Sequence, residues 1–162
     1  MRAALSLAAA LLLSACASLR APPAPPPASQ RPPAAGDAIA AAAAALVGTR
    51  YHFGGADAAG FDCSGLALYV HERAGLAIPR TAAAQQHAAR EVPLTQIAPG
   101  DLVFFKIRSR SVNHVGIYAG AGRFIHAPRA GQAVSYADLS RGFYARHLVS
   151  AGRFWESSAP PR

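Results

Sequence analysis

The chain has 162 residues, is 52% apolar and 15% charged, and carries a formal charge of +8 with two cysteines. This length allows one domain once the ends are set aside. The positive charge comes from scattered arginines, with Lys106 the sole lysine. That distribution argues against a nucleic-acid partner and suits an anionic polymer or carboxylate-rich substrate, or else reflects base composition alone.

Residues 1–15 read as an export signal: Arg2 supplies the positive charge, and the apolar run over 3–13 is too short to span a bilayer. Leu13-Ser14-Ala15-Cys16 resembles the lipobox of bacterial lipoproteins, which implies cleavage before Cys16 and its acylation. An ordinary secretory signal with an incidental Cys16 is the alternative. Ala17 and Ser18 follow without an aspartate, a resemblance to lipoproteins sorted to the outer membrane. The expectation is a periplasmic protein held to the membrane by lipid. Residues 16–36 are rich in Pro and Ala, with Pro22-Pro23-Ala24-Pro25-Pro26-Pro27 at the centre. Such a tract favours extended polyproline geometry and forms a tether reaching roughly 60 Å. With Cys16 acylated, Cys63 is a free thiol in an oxidising compartment, where cysteines usually pair.

The domain is expected over residues 37–154. Asp37 caps an alanine-rich helix over 38–47, closed by Gly48. An extended piece over 48–55 runs into a glycine-rich loop, Gly54-Gly55-Ala56-Asp57-Ala58-Ala59-Gly60-Phe61-Asp62-Cys63-Ser64-Gly65-Leu66. Asp62 is a good N-cap, and Cys63 then takes the first helical position, where orphan N–H groups and the helix dipole favour a thiolate. A small hydrophobic cysteine in a core helix is the competing reading. That helix ends near Gly75, and Thr81 caps the next, which runs to about Arg90. After Pro99-Gly100-Asp101 the pattern turns strand-like, with strands at 102–107, 114–118, 123–126, 133–136 and 147–151 and a disordered tail from 155 to 162. Helices followed by hairpin-linked strands predict an α+β fold, the helices packed on one face of an antiparallel sheet of five to six strands.

A cysteine nucleophile needs a base and a group to orient it. His52, His71, His87 and His147 read as solvated. His114 opens one strand and His126 closes the next across the turn at Gly120-Ala121-Gly122, so antiparallel pairing brings them together. Zinc binding by Cys63 and the two histidines is an alternative without any close ligand pair to support it; unrelated core histidines are another.

Tyr51-His52-Phe53-Gly54-Gly55, Phe61-Asp62-Cys63-Ser64-Gly65-Leu66, Pro79-Arg80-Thr81, Pro99-Gly100-Asp101-Leu102-Val103-Phe104-Phe105, His114-Val115-Gly116-Ile117-Tyr118 and Phe124-Ile125-His126-Ala127 together resemble the NlpC-type family of bacterial cell-wall cysteine peptidases. The resemblance implies a minimal papain-like fold and hydrolysis of amide bonds in peptidoglycan stem peptides, without cofactor or metal, by a monomer. It makes Cys63 the nucleophile, His114 the general base and acid, and His126 the group that orients His114. It places Tyr51 beside the oxyanion, and Asp62 and Ser64 along the substrate groove. Arg50 departs from it, standing where many relatives carry proline before the tyrosine. Arg80 and Arg129 are candidate anchors for substrate carboxylates, or else surface charges. An amidase or acyl transferase on the same scaffold, or a non-catalytic wall-binding module, are the alternative functions.

Overall fold

The computed structural model describes residues 35–155. The signal, Cys16, the tether up to residue 34 and residues 156–162 of the tail lie outside the described residues. In chain order the elements begin with helix α1 (Ala35–Ala44), the two-residue strands β1 (Ala56–Asp57) and β2 (Gly60–Phe61), and helices α2 (Cys63–Arg73) and α3 (Ala82–Ala88). Strands β3 (Arg90–Val92), β4 (Leu102–Phe105), β5 (His114–Gly120), β6 (Arg123–His126) and β7 (Ser135–Asp138) follow, then a short helix α4 (Gly142–Ala145) and β8 (Leu148–Arg153).

α1 begins earlier than the sequence suggests, so Asp37 sits inside its first turn rather than at the cap, and residues 45–48 form turns. Packing decides this. Gly36, Ile39, Ala40 and Ala43 make the buried stripe at helical spacing. Gly36 lies where a Cβ would strike the Trp155 ring and the Pro99 carbonyl. Trp155, expected in a disordered tail, is only 5% exposed and lies under the Arg153 guanidinium at 4.2 Å.

The main sheet has six strands in the order β3-β8-β4-β5-β6-β7, with every neighbouring pair antiparallel. β3 falls where the sequence suggests the end of a helix; pairing of Arg90, Glu91 and Val92 with Arg153, Gly152 and Ala151 overrides local propensity. β4 stops at Phe105, β7 lies later than the expected 133–136, and β8 extends to Arg153. The β1–β2 ribbon and α4 carry no clear periodic signal and were not expected.

β4 is buried on both faces, so the sheet carries two cores where one was expected. Leu102 and Phe104 join Ile39, Leu66, Val70 and Ile117 under the helices. Val103 and Phe105 join Phe124, Leu139 and Ala151 on the other face, with Tyr144 of α4 packed against them. The turn into β4 is locked by Asp101, fully buried, which accepts the Ala98 N–H at 2.8 Å and pairs with Arg153 at 2.6 and 2.7 Å.

Candidate active site

Asp62 organises the start of α2. Its Oδ1 accepts the Gly65 N–H at 2.7 Å, the cap expected of it, and its Oδ2 accepts the Gly54 N–H at 3.0 Å. Gly65 is required because a Cβ there would run into the Gly55 carbonyl, so loop and helix start can close together. Arg80 then grips both carboxylate oxygens, at 3.0 and 2.6 Å, and also donates to Ser64 Oγ at 2.9 Å. The Ser64 hydroxyl completes the ring by donating to Asp62 Oδ1 at 3.2 Å. Burial opposes the charge on Asp62, but the Arg80 hydrogen bonds, with those from Gly65 and Ser64, hold its carboxyl below the usual range. Arg80, a candidate substrate anchor or surface charge, pairs with Asp62, whose half-buried carboxylate one residue from the thiol is favoured by a counter-charge. Gln85, which sequence reasoning passed over, is fully buried and donates to the carbonyls of Ser64 at 3.0 Å and Pro79 at 2.8 Å, tying α3 to the first turn of α2.

Cys63 is the first residue of α2, as expected, and is half-buried with no disulfide. The position does not by itself produce a resting thiolate. Burial pushes the thiol up and the Asp62 charge adds to this, against the backbone N–H groups of Val115, Ser64 and Cys63, which pull it down; the net shift is upward. Desolvation outweighs the helix-start N–H groups, so the thiol lies above its ordinary range and a base is needed to take its proton. The Tyr51 hydroxyl lies within electrostatic reach of both Cys63 and Asp62, and its pKa is raised by burial and by those two charges. Its backbone bridges Phe61 and donates to the Gln132 carbonyl at 2.9 Å, which fixes the ring beside the thiol.

The strand register explains the histidine pair. Phe105 pairs with His114 and Tyr118 with Phe124, so His114, Gly116, Phe124 and His126 share one face, and the two imidazoles are diagonal neighbours. Gly116 lies between them because a Cβ there would strike the Phe124 ring. His114 Nε2 and His126 Nδ1 are 2.8 Å apart, with the residues 6% and 2% exposed. This leaves Nδ1 as the remaining ring nitrogen of His114. The next residue, Val115, directs its N–H at the Cys63 sulfur, so the starts of β5 and α2 meet at the site. Aromatic rings enclose the pair: Phe105 lies 5.8 Å from His114, Phe124 4.9 Å from His126, and Tyr144 4.9 Å from His126 and 6.0 Å from His114. Burial lowers His114 to about 4; burial and the neighbouring His114 lower His126 to about 3. Both are neutral at pH 7.

Tyr144 is the functional candidate that sequence reasoning missed; the only hint was the aromatic pair Phe143-Tyr144 inside a loop-like stretch. Its pKa is raised by burial, with Arg129 lowering it and Cys63 raising it, so its hydroxyl is within electrostatic reach of both groups. Arg129 is exposed on the rim of a cavity of about 510 Å³ beside Tyr144. Of the histidines read as solvated, His52 and His87 are exposed, and His147 is half-buried and donates from Nδ1 to the Phe143 carbonyl at 2.7 Å. His71 is a correction: it is fully buried on the inward face of α2, and its Nδ1 donates to the Ala67 carbonyl at 2.8 Å. Among the described residues no three His, Cys, Asp or Glu side chains are arranged to hold a metal ion.

The NlpC/P60 family model matches residues 48–153. The chain is 40% identical over 112 residues to murein DD-endopeptidase MepH of Escherichia coli, covering 66% of this chain and 41% of that one. It is 40% identical over 109 residues to the bifunctional muramidase/DL-endopeptidase CwlT of Bacillus subtilis, covering 65% and 32%. It therefore spans about a third to two fifths of the length of these curated relatives. Among solved structures, the NlpC/p60 domain of peptidoglycan hydrolase SagA superimposes with a TM-score of 0.64 at 34% identity, covering 73% of this chain and 97% of that one. With its α+β fold and the family match across both the cysteine helix and the histidine strands, the chain belongs to the NlpC/P60 family.

Proposed function

We propose that this chain is a peptidoglycan endopeptidase that cuts an amide bond in stem peptides, with Cys63 as nucleophile, His114 as general base and acid, and His126 as the group that orients His114. One observation carries the reading: a 2.8 Å bond between two buried imidazoles on neighbouring strands, the first followed by an N–H that meets a helix-start thiol. The names of the relatives, murein DD-endopeptidase, muramidase/DL-endopeptidase and peptidoglycan hydrolase, support the substrate class.

In this mechanism His114 donates its Nε2–H to His126 Nδ1, which leaves Nδ1 free to accept a proton from Cys63. Because the thiol is raised and the imidazole lowered, the resting pair is neutral, and the proton moves as the sulfur attacks the carbonyl. Backbone N–H at the start of α2 and the Tyr51 hydroxyl meet the oxyanion. His114 returns the proton to the leaving amine, then activates the water that clears the thioester. Asp62 and Ser64 shape the groove, with Arg80 holding them in place.

The same reading makes the protein a monomer acylated at Cys16 and tethered by residues 16–36 on the periplasmic side of the outer membrane. The lipobox-like Leu13-Ser14-Ala15-Cys16 and the Pro/Ala tract support this.

Digestion of purified sacculi with mass spectrometry of the products tests the activity. Wild type is expected to release peptide fragments that Cys63→Ala does not; equal products from both overturn the proposal. For the anchor, Cys16→Ser is expected to move the protein from the membrane fraction to the soluble fraction, and a protein that stays with the membrane rejects acylation.

A further inference from the structure

We propose that the cavity bounded by Arg108, Arg129 and Tyr144 is a subsite for a carboxylate carried by the substrate residue that leaves as the amine. The inference rests on the peptidase reading and adds a recognition element to it.

The cavity holds about 510 Å³, room for an amino-acid residue. Its lining includes two guanidiniums and no carboxylate. Among the described residues neither Arg108 nor Arg129 pairs with an acid, whereas Arg80, Arg141 and Arg153 each do. Arg108 lines the cavity as an exposed side chain on a loop whose backbone is pinned. The Asn113 side chain accepts the Ile107 N–H and donates to the Ile107 carbonyl, both at 2.9 Å, and Arg108 itself takes φ 51. Two unpaired guanidiniums in one concave site favour a planar anion, and carboxylate fits their fork geometry.

The geometry of the reaction decides which half of the substrate enters. The oxyanion must face the start of α2 and Tyr51, while the departing nitrogen must reach His114 to be protonated. Tyr144 packs on both imidazole rings, and Arg129 acts on its hydroxyl, so the cavity opens from the histidine side of the thiol. The opposite side, at Asp62, Ser64 and Arg80, is already charge-balanced. An anionic acyl half therefore gains nothing from Arg108 and Arg129, while an anionic amine half does.

The test uses two synthetic stem peptides identical except that the leaving residue carries a free carboxylate in one and a carboxamide in the other. Wild type is expected to prefer the carboxylate by about 30-fold in kcat/KM, the size of a charge-assisted hydrogen bond. In the double variant Arg108→Asn/Arg129→Gln, where asparagine tolerates the positive φ, that preference is expected to fall below about threefold, the discrimination left once charge-assisted bonding is gone. Loss of folding or of catalytic geometry would slow both peptides together and leave the ratio untouched. A wild-type preference under about twofold, or one that survives in the double variant, overturns the subsite. Failure of wild type to cut either peptide, with Cys63→Ala indistinguishable from it, overturns the peptidase reading and the subsite together.

Discussion

The two halves of the candidate site are built from opposite materials. On the cysteine side, Asp62, Ser64 and Arg80 form a closed charged ring that grips backbone N–H groups of both the loop and the helix. On the histidine side, among the described residues, aromatic rings and not ion pairs shape the imidazole pair; Phe105, Phe124 and Tyr144 surround it. Charge fixes the position of the sulfur, and exclusion of water sets the protonation of the imidazoles. A site made wholly of charged groups would protonate the histidines and remove the base; one made wholly of apolar rings would leave the start of α2 without a cap.

The largest expected effect comes from breaking the histidine side at its single polar link. His126→Ala leaves His114 Nε2 buried without its partner and free to adopt the wrong tautomer, and kcat is expected to fall about 10⁴-fold, as when the orienting member of a hydrolytic triad is lost. His126→Asn, which keeps an acceptor in place, is expected to recover part of that loss. Kinetics on muropeptides read this directly; full activity in His126→Ala would show that the imidazole pair only fills space.

The cysteine side should break differently. Asp62→Ala removes the cap of α2 and the counter-charge of Arg80, and is expected to cost about 2 kcal/mol in urea unfolding. Solvent screens the ion pair, because Arg80 is more than a third exposed. An unchanged unfolding midpoint would mean that the ring does not hold the helix start.

What was legible in the sequence follows the same division. Asp62, Cys63, His114 and His126 declared themselves because cap chemistry is local and strand alternation has a period of two. Arg80 was identified as a candidate anchor or a surface charge, but its pairing with Asp62 was not foreseen, since a contact across 18 positions has no local signature. Tyr144 and Gln85 were missed for a related reason. Each matters through contacts distant in sequence, Tyr144 with both imidazoles and Gln85 with the Ser64 carbonyl, which no local pattern announces. Arg90 reads as the last residue of a helix until the pairing of β3 with β8 is known.

The aromatic enclosure also predicts a pH profile. His114 acts as a base only when neutral, so kcat/KM rises as pH passes upward through its lowered value of about 4 rather than the ordinary 6.5. Tyr144→Ala opens the enclosure to water and is expected to move that acid limb upward, toward 6.5. A limb already at 6.5 in wild type would mean that the rings do not exclude water from the pair.

The smallest effect isolates burial from function. His71 sits on α2 with no route to the thiol, yet burial lowers its pKa as it does those of the site histidines, with the Ala67 carbonyl and the Asp101 charge opposing. A histidine whose folded pKa is depressed binds its proton more readily when unfolded. Its contribution to stability is therefore complete above the unfolded value of 6.5 and is lost as pH falls below it. His71→Leu replaces the ring with an apolar group of similar bulk and removes a buried nitrogen, Nε2, that lacks a partner among the described residues. At pH 7.5 the variant is expected to stay within about 1.5 kcal/mol of wild type. Between pH 6.5 and 5 its unfolding free energy should fall less steeply, because one proton-uptake site has gone while His114 and His126 remain. Identical slopes in wild type and variant would mean that His71 is protonated inside the fold, and that burial alone does not keep an imidazole neutral here.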